Sequence, residues 1–219
     1  MEERVLLVKY GEIAMRGNNR QLFVKRLVET IRKNIDSDGD FYVVREQGRL
    51  IVESRGTEIN FGTMIPKVNR IFGILGVCPG IKVTDQSIEN LQKTALKFLK
   101  DNYDGKSKTF KVVTKRSNKQ YPLTSNEVSA EVGGYIYDNF EGLEVDIHNP
   151  ETTVYVEIRN DAYIYTDFIE GCGGLPYGSS GKAVSLISGG IDSPVATWHV
   201  VYRRVQLHRC HSQKPYTAV

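Results

Sequence analysis

The sequence predicts two fold classes in series: an α+β region over most of the chain, opening with a unit of ferredoxin-like type, then the first strand and helix of an α/β domain. Three observations carry that prediction. Apolar stretches of strand length and helix length follow one another through the first 166 residues. The leading ones fall in the order β-α-β-β-α, the beginning of a split βαβ arrangement. Late in the chain, the apolar run Ala183–Ile187 breaks into Ser188-Gly189-Gly190 and then enters a helical stretch.

Arg4–Tyr10 reads as the first strand, and Gly11–Asn19 as a glycine- and asparagine-punctuated loop. Arg20–Asn34 has helical spacing through Leu22, Phe23, Leu27 and Ile31. Phe41–Arg45 and Arg49–Ser54 form a hairpin across Gln47-Gly48, and a second helical stretch covers Asn60–Ile71. Val77–Val83 is a strand and Ser87–Asn102 a helix, with Ser87 as its cap and Leu91, Ala95, Phe98 and Leu99 on its apolar face. Thr109–Thr114 is a strand, and Ser125–Asn139 a helix starting at Ser125, with Pro122 just outside. Short strands follow at Leu143–Ile147, Thr153–Arg159 and Ala162–Thr166, the last two joined by a tight turn at Asn160-Asp161. Ile169–Ser180, rich in glycine, is read as a flexible connection.

Composition bounds the function. At 219 residues the chain holds one large domain or two to three small ones, and 40% hydrophobic with 25% charged residues fits an ordinary soluble globular protein. No apolar stretch approaches the roughly 20 residues of a membrane span, so no membrane partner is expected. Met1-Glu2-Glu3-Arg4 is no signal peptide, which leaves the cytoplasm as the default location. A net charge of +3 is too small to declare a nucleic-acid binder, so any such site must be a local patch. Cys78, Cys172 and Cys210 are scattered without a CxxC pair, which argues against a disulfide framework or a structural zinc site. His148, His199, His208 and His211 match no familiar ligand spacing, so no metal site is assigned to protein ligands.

Two stretches carry chemistry. In Ser185–Ala196 (SLISGGIDSPVA), Ser193 is a good N-cap and Pro194 suits a first helical turn. Strand, glycine turn and helix N-terminus together make an anion site. A Walker A loop is excluded, because Pro176 stands where its first glycine belongs and Ala183 where its magnesium-binding hydroxyl belongs. The dinucleotide pattern GxGxxG is absent here too. SGGIDS resembles the PP-loop of the ATP-pyrophosphatases; an ordinary glycine turn with Asp192 as a cap is the alternative. The second stretch lies between Gly105 and Asn126, which holds no acidic residue but has Lys106, Lys108, Lys111, Lys115, Arg116 and Lys119, with Phe110 and Tyr121 among them. One reading is a strand and loop that present Lys111, Lys115, Arg116 and Lys119 to RNA phosphates. The other is a solvated edge strand guarded by lysines. Lys9, Arg16 and Arg20 surround an earlier loop that reads equally well as ordinary surface.

Taken together, KYGEIAMRGNNRQLF, FKVVTKRSNKQYPLTSNEVSAEVGGYI, VDIHNPETTVYVEIRNDAYIY and GCGGLPYGSSGKAVSLISGGIDSPVA resemble the tRNA 4-thiouridine synthetases, or tRNA sulfurtransferases, in order over nearly all of Met1–Ala196. The resemblance implies an α+β ferredoxin-like domain (1–60), a THUMP RNA-binding domain (61–166), a linker (167–182) and the truncated start of an α/β PP-loop domain (183–219). It implies sulfuration of a tRNA uridine at position 8 through an adenylated intermediate, with ATP and Mg2+, and a shared role in supplying sulfur for thiamine thiazole. Partners would be tRNA and a persulfide donor such as a cysteine desulfurase, with a homodimer left open. Leu186, Ile187, Ser188, Gly189, Gly190, Asp192, Ser193, His211 and Ser212 would line the nucleotide, Asp192 as the orienting or metal-facing group. The sequence departs from the family pattern after Ala196: Arg204 stands at the glycine that ends the helix, Ser212 at an aromatic. No catalytic cysteine is carried over, and the chain alone is expected to be catalytically incomplete. A non-catalytic THUMP-type tRNA-binding module is the second hypothesis. Another PP-loop ligase would explain SGGIDS but not the THUMP-like stretch.

Overall fold

The structure, a computed structural model, describes residues 2–11, 20–46, 48–103, 105–179, 182–202 and 206–211, with backbone only from residue 201 on. In chain order the elements are β1 (Glu2–Lys9), α1 (Arg20–Ile35), β2 (Phe41–Glu46), β3 (Arg49–Ser54), α2 (Phe61–Asn69) and β4 (Gly76–Val83). There follow α3 (Ile88–Asp101), β5 (Thr109–Arg116), α4 (Ser125–Asn139), β6 (Glu144–Val145), β7 (Thr152–Ile158) and β8 (Ala162–Tyr165). The last are β9 (Ile169–Glu170), β10 (Lys182–Ile187), α5 (Asp192–Tyr202) and β11 (Gln206–His211). The chain divides into two compact units: Met1–Leu7, Ile51–Phe61 and Cys78–Ile169 form one, and Val8–Leu50, Gly62–Val77 and Glu170–Val219 the other.

In the first unit the strands lie in the order β4-β8-β7-β5-β6. β8 is antiparallel to β4 and to β7, across the tight turn after Ile158. β5 runs parallel to β7, from Phe110 opposite Thr152 to Arg116 opposite Ile158. A parallel pair needs a long crossover, and α4 supplies it. Alternation along the strands sends Phe110, Val154, Val156, Ile158, Ala162 and Ile164 to one face, where Leu91, Ala95, Phe98 and Leu99 of α3 and Val128, Val132 and Ile136 of α4 cover them. The opposite face carries Tyr155 stacked on Tyr165 at 4.9 Å and a buried bond from the Tyr165 hydroxyl to Glu157 Oε1 at 2.6 Å.

In the second unit α1 buries Phe23, Val24, Leu27, Val28, Ile31 and Ile35, the i, i+3/i+4 stripe of an amphipathic helix. β10 and β11 form a separate two-stranded parallel sheet, Lys182 opposite Gln206 through Ile187 opposite His211.

Three expectations are corrected and one helix start is completed by its cap. The strand read at Leu143–Ile147 shrinks to Glu144–Val145, because only Thr109 and Phe110 of β5 pair with it. Ser87 makes no side-chain cap; its own N–H donates to Asp85 Oδ1 at 3.0 Å. α4 starts at Ser125, as its pattern predicts, and Thr124 before it is the cap: its hydroxyl accepts the Glu127 N–H at 3.3 Å while the Glu127 carboxylate accepts the Thr124 N–H at 2.6 Å. The stretch read as a flexible connection is a strap: Gly171 N donates to Leu75 O (2.9 Å), Gly173 N to Ile74 O (2.8 Å) and Gly73 N to Gly173 O (2.7 Å). Asn69 and Arg26 side chains donate to the carbonyls of Glu170 and Gly178, and Leu175 is buried.

Candidate functional site

Two constellations stand out, one in each unit. In the second unit, β10 ends at Ile187 and α5 begins at Asp192, so residues 188–191 form the turn between them. Ser193 was expected to cap the helix from outside; it sits inside the first turn and laces the loop instead. Its Oγ accepts the Ser188 N–H at 3.0 Å, donates to Ser188 O at 3.3 Å, and lies 3.1 Å from Ser188 Oγ. Ser188 Oγ in turn accepts the Gly190 N–H at 3.4 Å. Below the loop, Thr197 Oγ1 donates to Ser193 O and meets Ser185 Oγ, both at 2.6 Å, fastening the helix to the strand.

The loop is open. Ser188, Gly189, Gly190, Ile191 and Asp192 are all exposed. A Cβ at Gly189 would meet nothing within 4 Å, and one at Gly190 only Ser188 Oγ at 3.7 Å. Neither glycine has a positive φ, so what they contribute is room for an approaching group. Backbone N–H groups at the start of an 11-residue helix favour an anion there. Leu186 is 70% exposed and Ile187 half-buried. His211 pairs in register with Ile187, which brings the ends of β10 and β11 side by side. Ser212 and Arg16 lie outside the described residues. Among the described residues no cluster of three His, Cys, Asp or Glu side chains could hold a metal ion.

The second constellation is the basic strand β5 and its loop. Lys115 and Lys119 are exposed and Lys111 half-buried. Lys119 stands at the head of a turn in which Asn118 Oδ1 accepts the Gln120 N–H at 2.9 Å. Arg116 differs from the lysines: Nε donates to Ser125 Oγ at 3.3 Å, and Nη1 donates to the carbonyls of Tyr121 (3.1 Å) and Leu123. Lys111 opens onto a cleft of about 440 Å³ between β5 and α4, lined also by Asn126, Ser129, Gly133, Val145 and Ile147. Sequence reading missed Asn126, Ser129 and Thr197. The adjacent glycines of α4 were the signal for the cleft, and the four-residue spacing from Ser193 to Thr197 the signal for the brace.

Comparison with known proteins adds three family matches: the ThiI ferredoxin-like domain over residues 5–78, the THUMP domain over 85–167, and the thiamine biosynthesis protein (ThiI) over 178–219. The chain is 41% identical over 218 residues to "Probable tRNA sulfurtransferase" of Alkaliphilus metalliredigens, covering 99% of this chain and 55% of that protein. It is 41% identical over 219 residues to the protein so named of Acetivibrio thermocellus, again over 55% of that protein. The chain thus spans about half the length of the curated relatives it matches. Among solved structures, a 4-thiouridine synthetase–RNA complex with bound ATP superposes with a TM-score of 0.87 at 35% identity, over 98% of this chain and 54% of that one. PH1313 from Pyrococcus horikoshii superposes at 0.81 with 29% identity, over 98% and 71%. TrmN from Thermus thermophilus shares the fold at 0.54 with 13% identity.

Proposed function

The chain carries in order the ThiI ferredoxin-like domain, a THUMP domain and the start of the ThiI PP-loop domain, and so belongs to the tRNA sulfurtransferase family; from that premise we propose that it serves ATP-dependent sulfur transfer to tRNA, forming 4-thiouridine at position 8. Its own share is tRNA binding through the unit that contains β5 and part of the ATP site through residues 186–193 and 211–212. The same sulfur route would feed thiamine thiazole synthesis. A persulfide donor such as a cysteine desulfurase supplies the sulfur.

A uridine carbonyl oxygen leaves poorly until it is adenylated. The oxygen attacks the α-phosphorus of ATP, an O–P bond forms, and pyrophosphate departs. The terminal sulfur of the donor persulfide then attacks the ring carbon that carried that oxygen, a C–S bond forms, and AMP leaves with the former carbonyl oxygen. A second thiol of the sulfur donor cleaves the S–S bond, leaving the sulfur on the uridine and a disulfide on the donor. The loop acts on the first step. Backbone N–H groups of Gly189 and Gly190, with the Ser188 and Ser193 hydroxyls, would bind phosphate oxygens and stabilise the charge that grows on pyrophosphate. Mg2+ is usually held by one or two carboxylates plus phosphate oxygens, and Asp192 at the mouth of the loop suits that donor set.

The observation that supports this reading best is the exposure of Ser188–Asp192 at the free start of α5. A second reading, an RNA-binding module without chemistry, is favoured by the THUMP match over residues 85–167, which lies wholly outside the glycine loop. ATP titration separates the two: ATP binding that is lost in Ser193→Ala supports a share in the nucleotide site, and intact tRNA binding without ATP binding supports the module. Detectable ATP–pyrophosphate exchange would overturn the expectation that the chain alone is catalytically incomplete. A salt series tests the shared part. The log of the tRNA affinity should fall linearly with log salt, and Lys115→Ala and Lys119→Ala should each make the slope shallower by about 0.7–0.9. Unchanged slopes would remove this strand from the RNA interface.

A further inference from the structure

We propose that Arg116 is a positioning residue, holding the loop of residues 117–124 in the shape that presents Lys115 and Lys119 to RNA; this rests on the tRNA-binding reading above. The guanidinium is committed to the protein on two of its nitrogens, with Ser125 Oγ and the carbonyls of Tyr121 and Leu123 as acceptors. A planar fork satisfies three acceptors at fixed angles, which a lysine ammonium cannot copy. The far end of the loop is fastened separately. The Tyr121 hydroxyl donates to Gln86 O at 2.7 Å, and Gln86 Nε2 donates to Asn160 O at 2.6 Å. At its near end Ser117 N donates to Ile158 O at 2.9 Å. Glu127, in the first turn of α4, adds its charge beside the guanidinium. The loop is therefore closed at three points, with the Lys119 turn left outside. A loop ordered before binding spares the RNA complex the entropy of ordering it.

Phosphate ligation and positioning give opposite results in a short variant series. In the free protein, Arg116→Ala should speed amide exchange at Ser117 and Thr124, whose N–H groups donate to Ile158 O and Glu127 Oε2, by about tenfold or more, the size of effect a lost charge-assisted hydrogen bond gives. Arg116→Lys keeps the charge and should restore neither slow exchange nor tRNA affinity. Tyr121→Phe changes no charge and should weaken tRNA binding in the same direction. In a chain already carrying Lys115→Ala and Lys119→Ala, adding Arg116→Ala should leave the salt slope unchanged. The inference is overturned if Arg116→Lys binds tRNA like the wild type while its loop exchanges fast, or if Arg116→Ala takes a further 0.7–0.9 off the slope in the doubly substituted chain. Wild-type protein without salt-dependent tRNA binding would overturn the functional reading itself, and this role with it; loop exchange in the free protein would still record the clamp.

Discussion

The parallel pair β5/β7 and the parallel pair β10/β11 are built from the same local pattern, two strands joined through a helix, yet they meet solvent differently. Beside β5 and β7, α3 and α4 close one face over Phe110, Val154 and Val156, all with no exposed surface. Beside β10, α5 covers the side of Ser185 and Ile187, while Val184 and Leu186 on the other side are 67% and 70% exposed. A parallel sheet normally has both faces covered. The shape of the basic strand is thus fixed by a core, whereas the glycine loop of residues 188–191 holds its shape through hydroxyls, those of Ser188, Ser193 and Thr197.

The largest expected effect breaks the comparison at its centre. Phe110→Ala empties a fully buried ring position and should cost about 3–5 kcal/mol. Leu186→Ala removes a side chain that already faces water and should change stability by no more than about 0.5 kcal/mol. Urea unfolding of both variants measures this. Equal losses would mean that Leu186 is as well covered as Phe110.

A smaller effect separates two glycines. At Gly171, in the strap, an added Cβ would lie 2.5 Å from Ile74 O and 2.9 Å from Asn69 Oδ1. The carbonyl cannot yield without breaking the hydrogen bonds that hold the strap, so Gly171→Ala should destabilise by about 1–3 kcal/mol. Gly189→Ala meets no atom and should leave the thermal midpoint unchanged, while weakening nucleotide binding if phosphate approaches there. The glycine that matters for folding and the glycine that matters for the ligand are then told apart by melting and by ATP titration.

Those two glycines also mark what was legible in the sequence. Local periodicity was enough for α1 and α4, because each buries a regular stripe, and the β2–β3 hairpin was legible from two apolar runs parted by Gln47-Gly48, although β3 is buried along nearly its whole length. The strand–turn–helix at Ser188–Ser193 was legible because strand end, glycines and helix start fall within a few residues. Glycines at 171, 173 and 174 suggested a flexible tether, but their contacts are with Ile74, Leu75 and Gly73, a hundred residues away in sequence. The surroundings of Arg116 show the same dependence on the fold. Charge is visible in a sequence, but the carbonyls of Tyr121 and Leu123 that occupy the guanidinium are set by how the loop folds back.

The smallest expected effect concerns acid, and it distinguishes the start of α4 from the start of α5. The Thr124 N–H, its hydroxyl, and more weakly Arg116 hold the Glu127 carboxyl below the ordinary glutamate range. Because the folded value is the lower one, the cap contributes fully above about pH 4.3, the ordinary glutamate value, and is lost as pH falls through the lowered value. Asp85, through Ser87, and Asp146, through Asn149 and His148, are lowered in the same way, so acid should loosen three turns of the first unit together. The lacing between Ser188 and Ser193 consists of hydroxyls and backbone, which do not titrate there. Following the amide shifts of Thr124 and Ser188 from pH 7 downward should give a titration at Thr124 with a midpoint below the ordinary glutamate value. Glu127→Gln should abolish it without altering Ser188. A midpoint at or above that value would mean that the carboxylate gains nothing from the Thr124 N–H in solution, and that α4 is held at its start by packing alone.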